Sequence, residues 1–237
     1  MTSNKTAALA AFENNLLWEE IYAQGGQINR YPWTHIVTFV LRHSPKTKPR
    51  DQVLVVELGC GTGPNLWFAA REGFRVYGLD CSESAIAYAR RRFADEGLKG
   101  EFAVGDFSKV DLPKDCADLV IDRCGIGNTT RSNALLAIGE ARRVLRVGGL
   151  FHFSPFSTSH SSYVSGQRGP DGLTTNISAG AMQNNGSICF WERTHIEEAF
   201  ATGWKIHSIV LLTLTEQTTP AYDVQAEWRV IAEKIAD

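Results

Sequence analysis

A glycine-rich turn is the segment of this 237-residue chain whose residue types and spacing are best suited to chemistry. The mostly apolar run Val53–Leu58, which contains Glu57, leads directly into Gly59, Gly61 and Gly63, and a helical pattern follows. Glycine lacks a Cβ atom, so the backbone can turn sharply there and a ligand can approach it closely. A strand, a glycine turn and a helix in this order indicate a site for a nucleotide-type cofactor.

The spacing within the turn separates two kinds of cofactor. A dinucleotide site uses Gly-x-Gly-x-x-Gly and places the pyrophosphate on the following helix. Here the third glycine comes one residue earlier, and Pro64 follows it. Glu57 precedes the turn, and a carboxylate there disfavours a pyrophosphate but can orient water or bind an ammonium group. A dinucleotide-dependent oxidoreductase is therefore the less favoured alternative.

Three more carboxylates follow runs of strand-forming residues. Asp80 ends the run Val76-Tyr-Gly-Leu-Asp80, Asp106 follows a third predicted strand, and Asp122 ends a fourth. The carboxyl ends of parallel strands share one edge of a sheet, where open α/β sheets bind ligands. Each acid taken singly is equally consistent with capping a turn. Together with the glycine turn, they indicate a binding site at this edge.

At this point the chain resembles the class I S-adenosylmethionine (SAM)-dependent methyltransferases. Their first motif is an acid followed by Gly-x-Gly-x-Gly, and it is matched by Glu57-Leu-Gly-Cys-Gly-Thr-Gly63. Asp80 and Asp106 stand where the family places its next two acids. The segment Arg-Val-Leu-Arg-Val-Gly-Gly at residues 143–149 also fits the family pattern before the fifth strand. The resemblance covers about residues 50–155, in order and at family spacing.

The resemblance implies a role for each of these positions. Asp80 would hold the ribose hydroxyls, because one carboxylate can accept two charge-assisted hydrogen bonds from a diol. Asp106 would contact the adenine amino group, with Phe107 beside the ring. The cofactor site expected for SAM and its product S-adenosylhomocysteine (SAH) comprises Glu57, Gly59, Cys60, Gly61, Gly63, Asp80, Cys81, Asp106, Phe107 and Asp122, with Tyr22 and Tyr31 from the N-terminal region.

The elements that must position these residues alternate between strand and helix from residue 52 onward, which indicates a parallel, doubly wound sheet. With the resemblance, we predict an α/β fold: a seven-stranded, mostly parallel sheet with an antiparallel C-terminal strand and a helical N-terminal extension. The predicted strands are Val53–Leu58, Arg75–Leu79, Glu101–Val104, Asp118–Ile121, Leu150–Phe153, Lys205–Thr213 and Gln225–Ala232, the last two joined by a loop containing Pro220. The predicted helices are Phe12–Ala23, one with Pro32 in its first turn, one ending near Glu72, Glu83–Glu96 capped by Ser82, Asn133–Leu145, and a short one opened by Thr194–Glu197.

We predict a single domain over residues 1–237, because no linker or repeat interrupts the chain. Residues 1–50 are expected to form a helical lid, residues 51–155 the SAM-binding core, and residues 156–237 the substrate-side loop and C-terminal strands. In similar methyltransferases such an extension folds over the cofactor, which would bring Tyr22 and Tyr31 to the methionine carboxylate or the substrate. The alternative is that these aromatic side chains only pack the extension onto the sheet.

The segment Ser154–Gly186 is rich in Ser, Gly, Asn and Thr and shows no sustained periodicity. A connection of that length is uncommon unless it has a function or local structure of its own. The resemblance to the methyltransferases implies that the substrate pocket is built there. The alternative is a solvated loop with an incidental histidine. The expected acceptor-binding side chains are Arg123, Ser157, Tyr163 and Arg168, and the candidate general bases for a hydroxyl acceptor are Asp122 and His160.

Composition narrows the range of partners. Lys and Arg total 24 and Asp and Glu total 26, a net charge of −2, which argues against nucleic acid because a phosphate-backbone binder needs a basic surface. The five cysteines include no Cys-x-x-Cys pair, so we expect neither a metal nor a disulfide framework, and a cytoplasmic location fits. We also expect no membrane span, since every apolar run is short, and no signal peptide over Met1–Ala11.

Together these features predict a SAM-dependent methyltransferase that transfers a methyl group to oxygen or nitrogen of a small polar acceptor, with a sugar or glycan as one candidate. The sulfonium methyl group is already activated, so positioning in a water-excluded pocket is the main requirement. The alternative from another class is a non-catalytic SAM-binding protein that acts as a sensor or assembly subunit. The oligomeric state stays open.

Overall fold

The computed structural model describes residues 2–218 and 223–236, with side chains from Glu13 onward, and the predicted loop residue Pro220 lies outside this part. The strands within it are β1 (Leu54–Leu58), β2 (Arg75–Asp80), β3 (Glu101–Val104), β4 (Ala117–Arg123), β5 (Leu145–Ser154), β6 (Gln167–Arg168), β7 (Leu173–Thr175), β8 (Ile188–Cys189), β9 (Trp204–Thr215) and β10 (Val224–Lys234). The α-helices are α1 (Thr2–Ala23), α2 (Thr34–His43), α3 (Pro64–Arg71), α4 (Glu83–Asp95), α5 (Arg131–Val144), α6 (Ser161–Ser165) and α7 (Arg193–Ala199).

A seven-stranded sheet forms the centre of the protein, in the order β3-β2-β1-β4-β5-β10-β9. Strands β1 to β5 pair in parallel, and β10 is antiparallel to both of its neighbours, β5 and β9. The predicted seven-stranded, mostly parallel sheet with an antiparallel C-terminal strand is therefore confirmed. A second, small antiparallel sheet, β6-β7-β8, gives the long segment after β5 local structure of its own.

Helices cover both faces of the main sheet, so its central strands are buried on both sides. Val55 of β1 belongs to an apolar cluster with residues of α2, α3 and α4, whereas its neighbour Val56 belongs to a cluster with residues of α5 and α7. Successive side chains of a strand point to opposite faces. A strand covered by helices on both faces has a near-continuous apolar sequence, which is the pattern that predicted β1.

Two helix starts differ from prediction. Pro32 precedes α2 instead of lying in its first turn, because the N–H group of the N-cap residue Trp33 donates to Asn65 Oδ1 (3.1 Å) and holds the backbone extended there. Helix α7 starts at Arg193, one residue before the expected cap Thr194. Its N-cap is Glu192, whose N–H donates to Nδ1 of His195 (3.1 Å), so an imidazole takes the part expected of Glu197.

Other boundaries extend beyond the predicted ones. Helix α1 begins at Thr2, ten residues before the predicted start, while its end at Ala23 before two glycines is confirmed. Strand β5 starts at Leu145 because the backbone passes through Gly148 (φ +76°) without leaving the sheet. The predicted cap of α4 is confirmed, since Ser82 Oγ accepts from the Ala85 N–H group at 3.0 Å.

No helix in the described ranges is long and apolar enough to cross a membrane.

The end of the sheet opposite the glycine turn is tied together by Asp118. Its buried carboxylate accepts hydrogen bonds from Lys48 (2.8 Å), Arg146 and the N–H group of Leu54 (3.0 Å). Burial acts to raise the pKa of Asp118, but these three donors outweigh it and hold the pKa below its ordinary value. The carboxylate therefore stays charged and joins β4, β1 and β5 at one point.

Asp118→Asn is expected to lower the free energy of unfolding by about 3 kcal/mol at neutral pH, because it leaves two cations without their buried partner. A depressed pKa contributes stability that is present at neutral pH and is lost as the pH falls through the folded-state pKa. Urea unfolding should therefore show a smaller difference from wild type in acid. Glu72→Gln, which removes the exposed ion pair with Arg50 (2.6 Å), is the control and should cost less than about 1 kcal/mol. Equal losses in the two variants would contradict this account.

Candidate active site

A cavity opens at the carboxyl ends of β1, β2 and β4, beneath helix α1. Both polar and apolar side chains line it, and most of the glycine turn forms its floor. Its lining residues are Asn15, Trp18, Tyr22, Gln27, Asn29, Trp33, Glu57, Gly59, Cys60, Gly61, Thr62, Pro64, Asp80, Cys81, Phe107, Arg123, Cys124, Gly125, Asn128, Phe156, Met182 and Asn185. The cavity lies at the switch point of strand order, where β1 is flanked by β2 and β4.

The glycine turn needs glycine because its backbone has positive φ and is closely approached. Gly59, Gly61 and Gly63 have φ of +71°, +51° and +73°. A Cβ atom on Gly59 would stand 2.9 Å from the Cα atom of Gly125, and one on Gly61 would stand 2.6 Å from the hydroxyl of Tyr22. Real Cβ atoms almost never approach other atoms so closely, so the sequence pattern has a direct steric cause here.

The carboxylate of Asp80 holds the turn in place. Its Oδ2 accepts from the Gly61 N–H group (2.7 Å) and its Oδ1 accepts from the Ser82 N–H group (3.0 Å). The N–H groups of Gly59 and Cys60 both donate to the carbonyl of Leu79 (2.8 and 3.0 Å). Burial raises the pKa of Asp80, and the hydrogen bonds from Ser82 and Gly61 oppose that rise. The glycine turn after β1 and the loop between β2 and α4 are thus both fixed to the end of β2.

Glu57 and Asp122 are two further buried carboxyl groups, each with one oxygen lacking a hydrogen-bond partner. Glu57 Oε1 accepts from Asn65 Nδ2 (2.6 Å), and Asp122 Oδ1 accepts from the Ile126 N–H group (2.8 Å). Glu57 Oε2 and Asp122 Oδ2 are buried without a partner. Burial raises the pKa of Glu57 to about 8 and that of Asp122 to about 7. Buried acids with raised pKa values in a cleft mark a functional site.

Helix α1 covers the cavity. Asn15, Trp18 and Tyr22 line it from above, and the neighbouring Asn14 fixes the helix by donating to Asn128 O (2.9 Å) and Ser187 O (2.5 Å). The Ser187 N–H group donates back to Asn14 Oδ1 (2.8 Å). The described part of α1 therefore forms a roof over the cavity.

Comparison with known proteins identifies this arrangement. Residues 55–149 match the family described as "Methyltransferase domain". The chain carries a class I SAM-dependent methyltransferase domain. Among solved structures it resembles a SAM-dependent methyltransferase from Methanosarcina mazei, with a TM-score of 0.67, 16% identity and coverage of 87% of this chain and all of the other. At that identity the likeness shows the fold alone.

Two curated relatives share parts of the sequence. A malonyl-[acyl-carrier protein] O-methyltransferase of Erwinia pyrifoliae is 30% identical over 168 residues, 69% of this chain and 56% of the relative. A ubiquinone/menaquinone biosynthesis C-methyltransferase of Cupriavidus taiwanensis is 31% identical over 106 residues, 44% of this chain and 43% of the relative. The chain thus spans about half the length of the curated relatives it matches. Their names include transfer to oxygen and to carbon.

Many of the residues predicted for the site meet in this cavity. The predicted cofactor residues that line it are Tyr22, Glu57, Gly59, Cys60, Gly61, Asp80, Cys81 and Phe107, and Arg123, which was predicted for the acceptor, lines it as well. Three others adjoin it. Gly63 packs beneath the turn against the ring of Phe102, Asp122 lies buried behind Glu57, and Asp106 is exposed with Oδ1 accepting from the Ser108 N–H group (2.8 Å).

Four side chains predicted to touch cofactor or acceptor lie elsewhere. Tyr31 is 73% exposed and packs edge-on against Trp67. Tyr163 stacks beneath the guanidinium of Arg168 at 4.2 Å, outside the lining of the cavity. Ser157 Oγ accepts from the Ser159 N–H group (3.2 Å) in a local turn. These placements argue for structural roles, because none of the four lines the cavity and Ser157 and Arg168 already make hydrogen bonds within their own segment.

His160, a candidate general base, also serves its own segment. Its Nδ1 accepts from the Ser162 N–H group (3.1 Å) and caps α6, and its ring packs between Phe156 and Phe190. Burial lowers the pKa of His160 to about 4. The ring lies outside the lining residues, so this geometry argues against His160 as the base and leaves Asp122 as the remaining candidate.

Several cavity residues were not among the predicted ones. Four of them are Trp33, Asn128, Phe156 and Met182. Phe156 follows closely after Ser154, the last residue of β5, and this position at a strand end is the sequence signal that could have found it. The other three come from a helix cap, a short turn after β4 and the loop before β8, and no sequence spacing connects them. Within the described residues, no group of three His, Cys, Asp or Glu side chains is placed to hold a metal ion.

Gly61→Ala is expected to weaken SAH binding by at least about tenfold, because the new methyl group collides with the Tyr22 hydroxyl and the backbone is strained at positive φ. Isothermal titration calorimetry with SAH measures the effect. Combining it with Tyr22→Phe removes the hydroxyl and should restore part of the loss. If the effects of the two substitutions on SAH affinity simply add, the methyl group at position 61 and the Tyr22 hydroxyl do not collide, which would contradict this account.

Proposed function

We propose that this protein transfers the methyl group of SAM to oxygen or nitrogen of a small polar acceptor. The observation that carries the proposal is the meeting, in one roofed cavity, of the glycine turn, the ribose-binding candidate Asp80 and the unpartnered oxygen of Glu57. The family match over residues 55–149 supports it. The other lining residues, which include Trp33, Phe156 and Met182, would surround an acceptor.

The residues of the cavity fit SAM. Asp80 would hold the ribose hydroxyls, since each of its oxygens has further lone pairs beyond the backbone hydrogen bonds it already accepts. Phe107 would lie against the adenine ring. The unpartnered Oε2 of Glu57 would accept from the methionine ammonium group, which removes the cost of an unsatisfied buried acceptor. Gly61 leaves the space above the turn free of a Cβ atom.

When bound, SAM supplies a methyl group already activated by its sulfonium. The chain's task is therefore to hold the acceptor atom in line and to keep water out. Helix α1 forms the roof through Trp18 and Tyr22, and Trp33, Phe156 and Met182 give the acceptor side an apolar wall. Catalysis of this kind depends on positioning far more than on a reactive side chain.

The choice of acceptor atom depends on whether a proton must be removed. A neutral amine needs no base before transfer, whereas a hydroxyl group needs one. Asp122 is the base candidate: its raised pKa near 7 suits proton transfer, but it lies behind the lining of the cavity. Amide side chains of Asn15, Asn128 and Asn185 line the same space and would hydrogen-bond hydroxyl groups. They keep a sugar or glycan among the proposed acceptors.

We also propose a single-domain organisation, with residues 1–50 as lid, 51–155 as SAM-binding core and 156–237 as substrate side. The division is supported by the roof formed by α1 and by the position of the glycine turn within the central strands. The cytoplasmic location and a reaction without metal or nucleic acid stay predictions from composition.

Asp80→Ala is expected to weaken SAH binding by about 100-fold, because a carboxylate that accepts from a diol and also holds the turn is lost. Calorimetry with SAH checks this, with Asp95→Ala as a control at the exposed end of α4 and circular dichroism to verify folding. Unchanged SAH affinity in a folded Asp80→Ala variant would disprove the role. Binding of SAH without transfer from labelled SAM to any acceptor of a metabolite panel would favour the sensor alternative.

SAH affinity is expected to rise as the pH increases from about 6 to about 8. Glu57 has a raised pKa of about 8, so at lower pH it carries a proton that must leave before it can pair with an ammonium group. Each pH unit below the pKa can cost up to about tenfold in affinity. Calorimetry across this range measures it, and Glu57→Gln should bind weakly with little pH dependence. A flat profile for the wild type would contradict the assignment.

A further inference from the structure

Arg123 is the only basic side chain that lines the cavity in the described part of the chain. The carboxylate groups in the lining belong to Glu57 and Asp80, which the proposed function assigns to the cofactor. A guanidinium group is always charged in proteins and matches the planar, two-oxygen geometry of a carboxylate. Arg123 is therefore the one group of the lining that favours an anion.

The guanidinium of Arg123 is held in position but incompletely paired. Its Cζ atom lies 4.2 Å from the centre of the Trp33 ring, and its Nε is buried without a hydrogen-bond partner. The nearest carboxylate, Glu227, is 3.8 Å away. Glu227 Oε1 already accepts from Arg229 Nε at 2.8 Å. A partly buried charge without a close partner is costly, and an anion in the cavity would offset that cost.

The order of strands places Arg123 on the acceptor side. Asp80 ends β2, Glu57 lies on the neighbouring β1, and Arg123 ends β4, the next strand along. Its side chain reaches further in the same direction, toward Glu227 on β10. Neighbouring strands are about 4.8 Å apart. The guanidinium thus points away from the end of the cavity where the ribose would bind.

The surroundings of Arg123 describe the rest of the ligand. Trp33 lies beneath its guanidinium, and Phe156, whose backbone forms a bridge with Glu227, lines the same side. Flat apolar surfaces therefore flank the one positive charge. A phosphate, with a charge of about −2 at neutral pH, would need more than one cation here, because the nearby carboxylates of Asp80 and Glu227 repel it. A single carboxylate matches a single guanidinium.

We propose that Arg123 binds a carboxylate of the acceptor, so that this site acts on small carboxylic acids and discriminates against their neutral analogues. The inference rests on the proposed function and adds the substrate class. Arg123 would be a specificity-determining residue, since it selects the acceptor and takes no part in the transfer. Both a sugar acid and an aromatic acid present the required carboxylate, and the experiment separates these two sources.

The test uses acids matched with their primary amides, which have nearly the same shape but no charge. Calorimetry on the SAH-loaded protein compares 4-hydroxybenzoate with 4-hydroxybenzamide and glucuronate with glucuronamide. Wild type is expected to bind the acid of at least one pair about tenfold or more tightly than its amide. The pair that shows the preference distinguishes an aromatic acceptor from a sugar acceptor. Absence of any acid preference in both pairs would overturn the proposal.

Variants of Arg123 test whether this side chain causes the preference for an acid over its amide. Arg123→Met should abolish it, and Arg123→Lys should restore part of it, because lysine keeps the charge but loses the planar fork. Arg71→Met is the matched control, since Arg71 also stacks on a tryptophan, Trp67 (5.2 Å), and pairs with a glutamate, Glu96 (3.2 Å), outside the cavity. It should leave the preference unchanged.

Measuring SAH affinity distinguishes a wrong acceptor class from a wrong proposed function. Arg123→Met should bind SAH within about threefold of wild type, because the acceptor carboxylate and the cofactor occupy different ends of the cavity. A loss of tenfold or more would show that Arg123 pairs with the cofactor's own carboxylate, and would overturn the proposal. If wild type binds no SAH, the proposed function itself fails. If SAH binds and acid and amide bind alike, only the acceptor class is wrong.

Discussion

The hydrogen bond from the Gly61 N–H group to the buried carboxylate of Asp80 is the contact on which the site depends. It joins the turn after β1 to the end of β2, and the same carboxylate accepts from the Ser82 N–H group at the start of α4. Helix α1 is tied to this point as well, because Glu19 accepts from the hydroxyls of Ser82 and Ser84 (2.6 and 2.5 Å). Two carboxylates, those of Asp80 and Glu19, therefore set the relative positions of the glycine turn, helix α4 and helix α1.

Gathering acids at one edge of the sheet has an energetic cost. Glu57, Asp80 and Asp122 are each less than one-tenth exposed, and burial disfavours their charged forms. Two of them keep an oxygen without a partner, an arrangement that a protein selected only for stability would avoid. At the other end of the same strands, the buried carboxylate of Asp118 has three hydrogen-bond donors and contributes stability that offsets this cost. Stability and ligand binding are thus assigned to opposite ends of the same strands.

The glycine-turn side of the cavity could be predicted from sequence because its residues lie close together along the chain and at the ends of adjacent parallel strands. Glycines at positive φ and acids at strand ends leave direct marks in the sequence. The opposite wall could not be predicted, since it is held by contacts such as that of Asn14 with Ser187, 173 residues apart. His160 shows the difficulty: its residue type suggests proton transfer, but its ring caps the short helix α6. A polar residue in an unpatterned segment can satisfy its own backbone as readily as a ligand.

The small sheet β6-β7-β8 has a consequence for how such a protein can diverge. Its strands pair only with one another among the described strands, and the loop between β7 and β8 supplies Met182 and Asn185 to the cavity. This part of the wall is therefore encoded in one contiguous stretch that shares no ladder with the strands carrying the glycine turn. Substitutions in this stretch would change that wall of the cavity and leave the hydrogen-bonded ladders of the main sheet as they are.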